Sequence, residues 1–313
     1  MYLDLKVWNS FPKHSVLRKD FYNYIFMQFL NRLKFKAIIM LSLISLFQAC
    51  KSPINYSEKH GPKFISNSFE NQKVSPSSDT LTLVSYNIEK GEKINEAISL
   101  IQTNDVLANS DVFLLQEMDE IGTKRIADSL EMNYVYFPIN SSRKSKRNFG
   151  NSILSRECIF SEEKLILPHG QIHNNRKRGA SIATTYHNGK TIKLYSVHMA
   201  TVVMTTQKRL DQVDSLAAHV DDFVEEGEAC IIGGDFNAVT SAFRNKVVKK
   251  FSEIEFAHAT TGLGHTQISP IKFIKPELDM VFGKNLQVLD KGKVTDNSAS
   301  DHFPIWVKMK VGS

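Results

Sequence analysis

The decisive stretch runs from Ala229 to Ala238, ACIIGGDFNA. Cys230, Ile231 and Ile232 form a short apolar run that reads as a buried strand, and Gly233-Gly234 ends it. Asp235 and Asn237 then stand on the turn at the strand's end. Paired glycines let a backbone or a ligand come close, because no Cβ is in the way. Asp235 brings a carboxylate, and the Asn237 amide can donate to an anion. Gly-Asp-x-Asn is equally ordinary turn chemistry, so the meaning of the stretch depends on its surroundings.

Toward the N-terminus, Leu210, Val213, Ala217, Val220 and Val224 keep the spacing of an amphipathic helix leading into this strand. Before it, Thr191 to Met199 (TIKLYSVHM) alternates and places Ile192, Leu194, Ser196 and His198 on one face. A histidine there fits a satisfied core position as readily as a catalytic one. Arg178 opens another strand, GASIATTY, and Ser152 to Arg156 (SILSR) is a shorter one. The basic loop Arg143 to Arg147 (RKSKR) reads either as solvated surface or as an attractor of substrate phosphate. Farther back, Asp111 to Leu115 (DVFLL) is a buried strand that delivers Gln116-Glu117, with Ile126, Ala127 and Leu130 marking a helix face after it. Leu81 to Tyr86 (LTLVSY) delivers Asn87-Ile88-Glu89, and Ile94, Ala97, Ile98 and Ile101 follow at helical spacing. Toward the C-terminus come Leu278 to Phe282 (LDMVF), Ser300 to Pro304 (SDHFP) and a last strand alternating Ile305, Val307, Met309 and Val311.

Strands alternating with helices make residues 81–313 an α/β domain. Separate strands end in Asn87, Glu117, His198, Asp235 with Asn237, Asp279, and Asp301 with His302. If those ends meet at one sheet edge, several carboxylates crowd together and cannot all stay ionised without compensation. A hard divalent cation supplies it, and Mg²⁺ takes only one or two carboxylates plus waters and phosphate oxygens. The histidines and asparagines would then donate to an anionic transition state.

The order and spacing of SYNIE, LLQE, SILSR, SVHM, GGDFN, LDMVF and SDHFPI resemble the endonuclease/exonuclease/phosphatase superfamily, the group of deoxyribonuclease I, over Leu81 to Val311. The resemblance implies a four-layered α/β sandwich, two packed β-sheets flanked by helices, with the site at one edge. It also implies a metal-dependent phosphoesterase using Mg²⁺, or else Mn²⁺ or Ca²⁺. Glu117 matches the principal metal ligand. Asn87 and Glu89 match an Asn-x-acid pair at the metal, and Asp301 a further metal-side acid. Asp235 matches the residue that orients or deprotonates the attacking water. Asn237, His198, Asn87 and Arg178 match phosphate contacts. His302 matches the catalytic histidine, and Asp279 its carboxylate partner. Either the His–Asp pair or Asp235 can serve as base in this reading.

The N-terminus is of another kind. Lys34 to Cys50 (KFKAIIMLSLISLFQAC) has basic residues, an apolar core and a small residue before the cysteine. Phe35 to Ala49 would span roughly 22 Å as a helix, short of the ~30 Å hydrocarbon core, so a secretory signal fits better than a transmembrane helix. Ending at Cys50, it resembles a bacterial lipoprotein signal, which implies a membrane-anchored, exported protein. Met27 would give that signal a conventional start, leaving 1–26 an over-extended one. Lys51 to Thr80, rich in Ser, Asn, Lys and Pro, reads as a flexible tether. Cys158 and Cys230 sit in strand-like runs and read as two buried free thiols. The protein is expected to act as a monomer.

The chain carries a net charge of +6, but residues 1–49 hold seven Lys/Arg against Asp4 and Asp20. The remainder, with 32 basic and 31 acidic residues, is only +1, which argues against a dedicated nonspecific DNA binder. The substrate stays open between nucleic acid, a phospholipid head group and a small phosphate ester. A surface lipoprotein using the same fold as an inactive binding module is the alternative, and intact acidic and histidine positions argue against it. No G-x-S-x-G elbow and no P-loop occurs.

Overall fold

The computed structural model describes residues 53–69, 79–142, 146–224, 227–269, 275–296 and 298–312, with a few helical positions between 27 and 36. The chain divides into two units, Met1–Lys51 and Ser52–Ser313. Residues 1–26, the apolar run 37–49, Cys50 and residues 70–78 lie outside the described residues, as do Arg143, Lys144 and Ser145 of the basic loop. Among the described residues no helix is long and apolar enough to cross a membrane.

In the second unit the first sheet begins with β1 (Ile54–Asn55), β2 (Phe64–Ser66), β3 (Thr80–Asn87), β4 (Val112–Met118), β5 (Asn133–Ser141) and β6 (Asn148–Ser155). The second sheet holds β7 (Ile159–Ile166), β8 (Gly179–His187), β9 (Lys190–His198), β10 (Ala229–Asp235), β11 (Ala257–His258) and β12 (Asp279–Lys284). The chain then returns to the first sheet with β13 (Leu286–Lys293) and β14 (Ile305–Val311). The strand orders are β1-β5-β6-β4-β3-β14-β13, with β2 also on β5, and β11-β12-β10-β9-β8-β7.

Alternation along the strands sets the layers. Leu83, Leu114, Ile153 and Val307 of one sheet meet Leu194, Ile231 and Val281 of the other. The outer face of the first sheet, with Val84, Tyr86 and Phe113, covers Ile101 and Ile126 of helices Ile94–Thr103 and Glu120–Leu130. The outer face of the second, with Tyr195, Val197 and Ile232, covers Val213, Leu216 and Val247 of helices Thr206–Phe223 and Ser241–Ser252. The result is the four-layered α/β sandwich. Ile231 is fully buried between the sheets; truncating such a residue to Ala costs about 2–5 kcal/mol.

Register gathers the strand ends. β10 runs parallel to β9 and antiparallel to β12, so Asp235 pairs with His198 on one side and Asp279 on the other. His198 in turn pairs with Gly179, next to Arg178. In the first sheet Asn87 pairs with Gln116, next to Glu117. The glycines serve this packing. A Cβ on Gly233 would lie 2.8 Å from Leu114 Cδ1 of the facing sheet, and one on Gly234 (φ 150°) only 1.9 Å from the Val197 carbonyl oxygen.

Residues 53–69 depart from the flexible tether expected of them. β1 and β2 complete the edge at β5, taking up backbone groups that an edge strand leaves bare. Asn55 donates to the Asn175 carbonyl (2.9 Å) and accepts from Lys177 N–H (3.0 Å), and Asn67 pairs in the same way with Ile159. Such a segment has no apolar period to read, because its hold is backbone pairing and amide chemistry. Cys230 is the expected buried free thiol, whereas Cys158 is only half buried, in the bend between β6 and β7.

Candidate active site

Asp235 is the hub of the gathered ends. Its Oδ1 accepts from the backbone N–H of Asn237 (2.7 Å), and its Oδ2 from the amides of Asn87 and Asn237 (both 3.1 Å). Asn237 folds back this way with φ of 50°, the left-handed conformation that asparagine tolerates. Its amide also donates to the Met199 carbonyl (3.0 Å), and its own carbonyl accepts from the Arg209 guanidinium. Burial pushes the Asp235 carboxyl up to about 7; nearby His302 opposes that, while Asp279 and Glu117 reinforce it.

His302 stands just before β14. Its Nδ1–H donates to Asp279 Oδ2 (2.8 Å), which also accepts from the Thr266 hydroxyl (2.6 Å). Thr266 Oγ1 accepts in turn from the N–H groups of Leu278 and Asp279, so the carboxylate is held from several sides. With Nδ1 engaged, Nε2 lies in the site, 3.9 Å from Asp235 Oδ2. Burial works against a charge on this ring, but Asp279, Asp235 and Asp301 outweigh it and raise His302 to about 10. At neutral pH it is an imidazolium. Ser300 fixes its approach, donating to the Asn87 carbonyl (2.7 Å) and accepting from His302 N–H (3.0 Å).

His198 has the opposite character. The Arg178 guanidinium lies 3.2 Å from its Nδ1, and arginine has only donors, so Nδ1 accepts and the ring proton is on Nε2. That N–H lies 3.5 Å from Asp235 Oδ2 and 3.8 Å from Glu117 Oε1. Burial, then Arg178, His302 and Arg176, hold His198 well below the usual histidine range. One buried histidine is therefore cationic and its neighbour neutral.

Glu117 sits where β4 and β6 lose register between Leu115 and Met118, with φ of 61°. Such a backbone costs on the order of 1–3 kcal/mol in a non-glycine residue and is typical of functional sites. Its Oε2 accepts from Lys90 N–H (3.0 Å) on the turn after β3. Glu89 lies on that turn too, its N–H donating to Asn87 Oδ1 (3.2 Å). Asp301 accepts from the Gln267 amide (2.7 Å). Asn87, Glu117, Arg178, His198, Asp235, Asn237, Asp279 and His302 are thus linked directly through contacts no longer than 3.9 Å, with Glu89 and Asp301 at the margin.

A model of the "Endonuclease/Exonuclease/phosphatase family" matches residues 84–302. The chain belongs to this family. No curated protein matches it significantly. Among solved structures, an endonuclease/exonuclease/phosphatase family protein from Leptotrichia buccalis is similar at 18% identity, over 73% of this chain and 99% of its own, with a TM-score of 0.58. TDP2 from D. rerio, complexed with single strand DNA product, is similar at 14% identity over 74% and 99% (TM-score 0.56). A mannosyl-6-phosphatase from Bacteroides thetaiotaomicron is similar at 18% over 73% and 99% (TM-score 0.52). At these identities the likeness establishes the endonuclease/exonuclease/phosphatase fold.

The family site fits a hard cation. Among the described residues no group of three or more His, Cys, Asp or Glu side chains is placed to hold a metal ion; a hard cation such as Mg²⁺ needs only one or two carboxylates and several waters. Glu117, partly open to solvent, offers such a carboxylate, and Asp279 Oδ1 is a buried acceptor with no hydrogen-bond partner among the described residues. Thr266, Ser300, Gln267 and Arg209 were not legible as parts of the endonuclease/exonuclease/phosphatase centre. Only Arg209 leaves a sequence signal, a charge on the buried face of its helix beside Val213, Leu216 and Val220. In the basic loop, Arg147 is tied to Asp119 (2.6 and 2.9 Å) and to the Lys90 carbonyl (3.0 Å). That residue braces the turn beneath Glu117.

Proposed function

We propose that the protein is a divalent-metal-dependent phosphoesterase that hydrolyses a phosphodiester or phosphomonoester by in-line attack of water. The observation that carries this is the convergence of Glu117, His198, Asp235 and His302, from four separate segments, within 3.9 Å contacts. Glu117 would hold Mg²⁺ or Mn²⁺, with Asn87, Glu89 and Asp301 beside it. When bound, the ion supplies positive charge to the phosphoryl and leaving oxygens.

The chain's own residues do the rest. Asp235, oriented by Asn87 and Asn237, accepts from the attacking water, and a carboxyl near 7 suits a base at neutral pH. His302 Nε2–H and His198 Nε2–H donate to the equatorial oxygens, the first as a cation locked by Asp279, the second as a neutral donor locked by Arg178. The near-neutral charge of residues 50–313 favours a small or lipid phosphate ester over nonspecific nucleic acid.

Full-length protein should be assayed with Mg²⁺, Mn²⁺, Ca²⁺ or EDTA on plasmid DNA, sphingomyelin, inositol phosphates and bis(4-nitrophenyl) phosphate. Metal-dependent turnover of one class supports the reading, and binding without turnover of any would replace it with the binding module. Anchoring through Cys50 belongs to the same proposal: Cys50→Ser should release the protein from the membrane fraction, and unchanged retention would refute the anchor.

A further inference from the structure

The mechanism above uses Arg178 only through His198 and leaves Arg176 without a task. The two arginines are two positions apart on the segment entering β8, so they share a face, with Lys177 between them. Both lie against one ring, their guanidinium carbons 5.4 and 5.1 Å from the Phe149 centroid, and Phe149 packs 5.8 Å from the His198 ring. Arg178 is only 6% exposed. The Nε of each arginine is buried and has no hydrogen-bond partner among the described residues. Two like charges held side by side with donors unmade are costly, and packing alone does not account for them.

The segment carrying them is braced. Asn55 donates to Asn175 (2.9 Å) and accepts from Lys177 (3.0 Å), Asn140 donates to the Lys177 carbonyl (3.0 Å), and Asn174 accepts from Arg176 N–H (3.0 Å). Arg178 spends one donor on His198 Nδ1, but the two Nε donors have no acceptor among the described residues, and braced guanidinium groups with donors to spare suit a phosphate group.

The geometry points to a second anion subsite, formed by Arg176 and Arg178 on the Phe149 face, that takes a second phosphate group of the same substrate molecule. It rests on the proposed phosphoesterase reading for the place of the scissile phosphate, from which it is separated by the width of the His198 imidazole. The substrate class is therefore a compound with two phosphate groups a few bonds apart, and Arg176 is a specificity-determining residue.

Non-hydrolysable probes test this without turnover. Propane-1,3-diphosphonate and propylphosphonate would be titrated calorimetrically into full-length protein at fixed free Mg²⁺. The diphosphonate should bind about tenfold tighter, a ratio that shrinks with added salt. Arg176→Met should remove most of that advantage, Arg176→Lys should keep part of it, and Asn55→Ala, which frees the loop, should reduce it. Equal affinities in the wild type would overturn the subsite even if Arg176→Met fails to fold. An equal loss for both probes in Arg176→Met would reduce Arg176 to a structural role. Preserved discrimination in a protein that hydrolyses nothing would sink the hydrolase reading and leave the subsite standing.

Discussion

Strands β9 and β10 finish in opposite ways at their two ends. At the C-terminal ends His198 and Asp235 lie buried in a cluster of charges. At the N-terminal ends a cavity of about 560 Å³ opens, lined by Gly189, Lys190, Thr191, Gly227, Ala229 and Gly312 among others. It is roomy, yet the Lys190 amine is spent on the Gly312 carbonyl, and no histidine or paired carboxylates line it. The difference teaches that an open cavity does not by itself mark a site. Buried titratable groups held at unusual protonation states set the C-terminal end apart.

The contrast breaks if the wrong end proves sensitive. Glu117→Ala and His302→Ala should lower kcat/KM for the best substrate by about 10²–10⁴-fold, while circular dichroism shows the fold retained. Either variant turning over like wild type would remove that residue from the centre. Thr266→Val removes the hydroxyl that Asp279 accepts from. It should lower kcat by roughly tenfold with little change in KM, and stability by about 1–3 kcal/mol in denaturant titrations.

His258 sharpens the comparison, because it is a histidine packed on Phe282 (5.1 Å) with no carboxylate partner among the described residues. Burial, with Lys291 and Arg244, brings it down to about 4, the reverse of His302. Unfolded, it titrates near 6.5. Between about 6.5 and 4 the unfolded chain therefore binds the extra proton, and stability falls as pH drops through that window; above it the contribution is complete. Denaturant midpoints measured from pH 8 to pH 4 should show this loss, and His258→Asn should flatten part of it. A smaller effect still is expected at the cavity by the N-terminal ends of β9 and β10. Lys190→Ala should leave turnover within about twofold and stability within about 1 kcal/mol.

Much of this was legible in the sequence, for physical reasons. A buried strand that ends on polar residues announces itself, so the strands carrying Asn87, Glu117, His198, Asp235 and Asp279 and the helices Ile94–Thr103 and Thr206–Phe223 could be read from periodicity. β5 could not: Asn133–Ser141 is buried throughout, yet contains Asn133, Pro138 and Asn140, which read as turn residues. The edge strand β13 has no fully buried position, and β1 and β2 are held by backbone pairing, so none of them leaves a clear apolar pattern. In the site, the titratable residues were visible because chemistry restricts their type. Thr266 and Ser300 were not, since any small hydroxyl in a loop looks alike until its partners are placed. Arg176 was not singled out beside Arg178, because their common ring, Phe149, lies on another strand.

The most direct test is the initial rate of bis(4-nitrophenyl) phosphate hydrolysis by the full-length protein in Mg²⁺ and in EDTA, with Glu117→Ala run beside it. The account predicts turnover in Mg²⁺, its loss in EDTA and its restoration when the metal is returned, with Glu117→Ala inactive throughout. Turnover that persists in EDTA and in Glu117→Ala would contradict it.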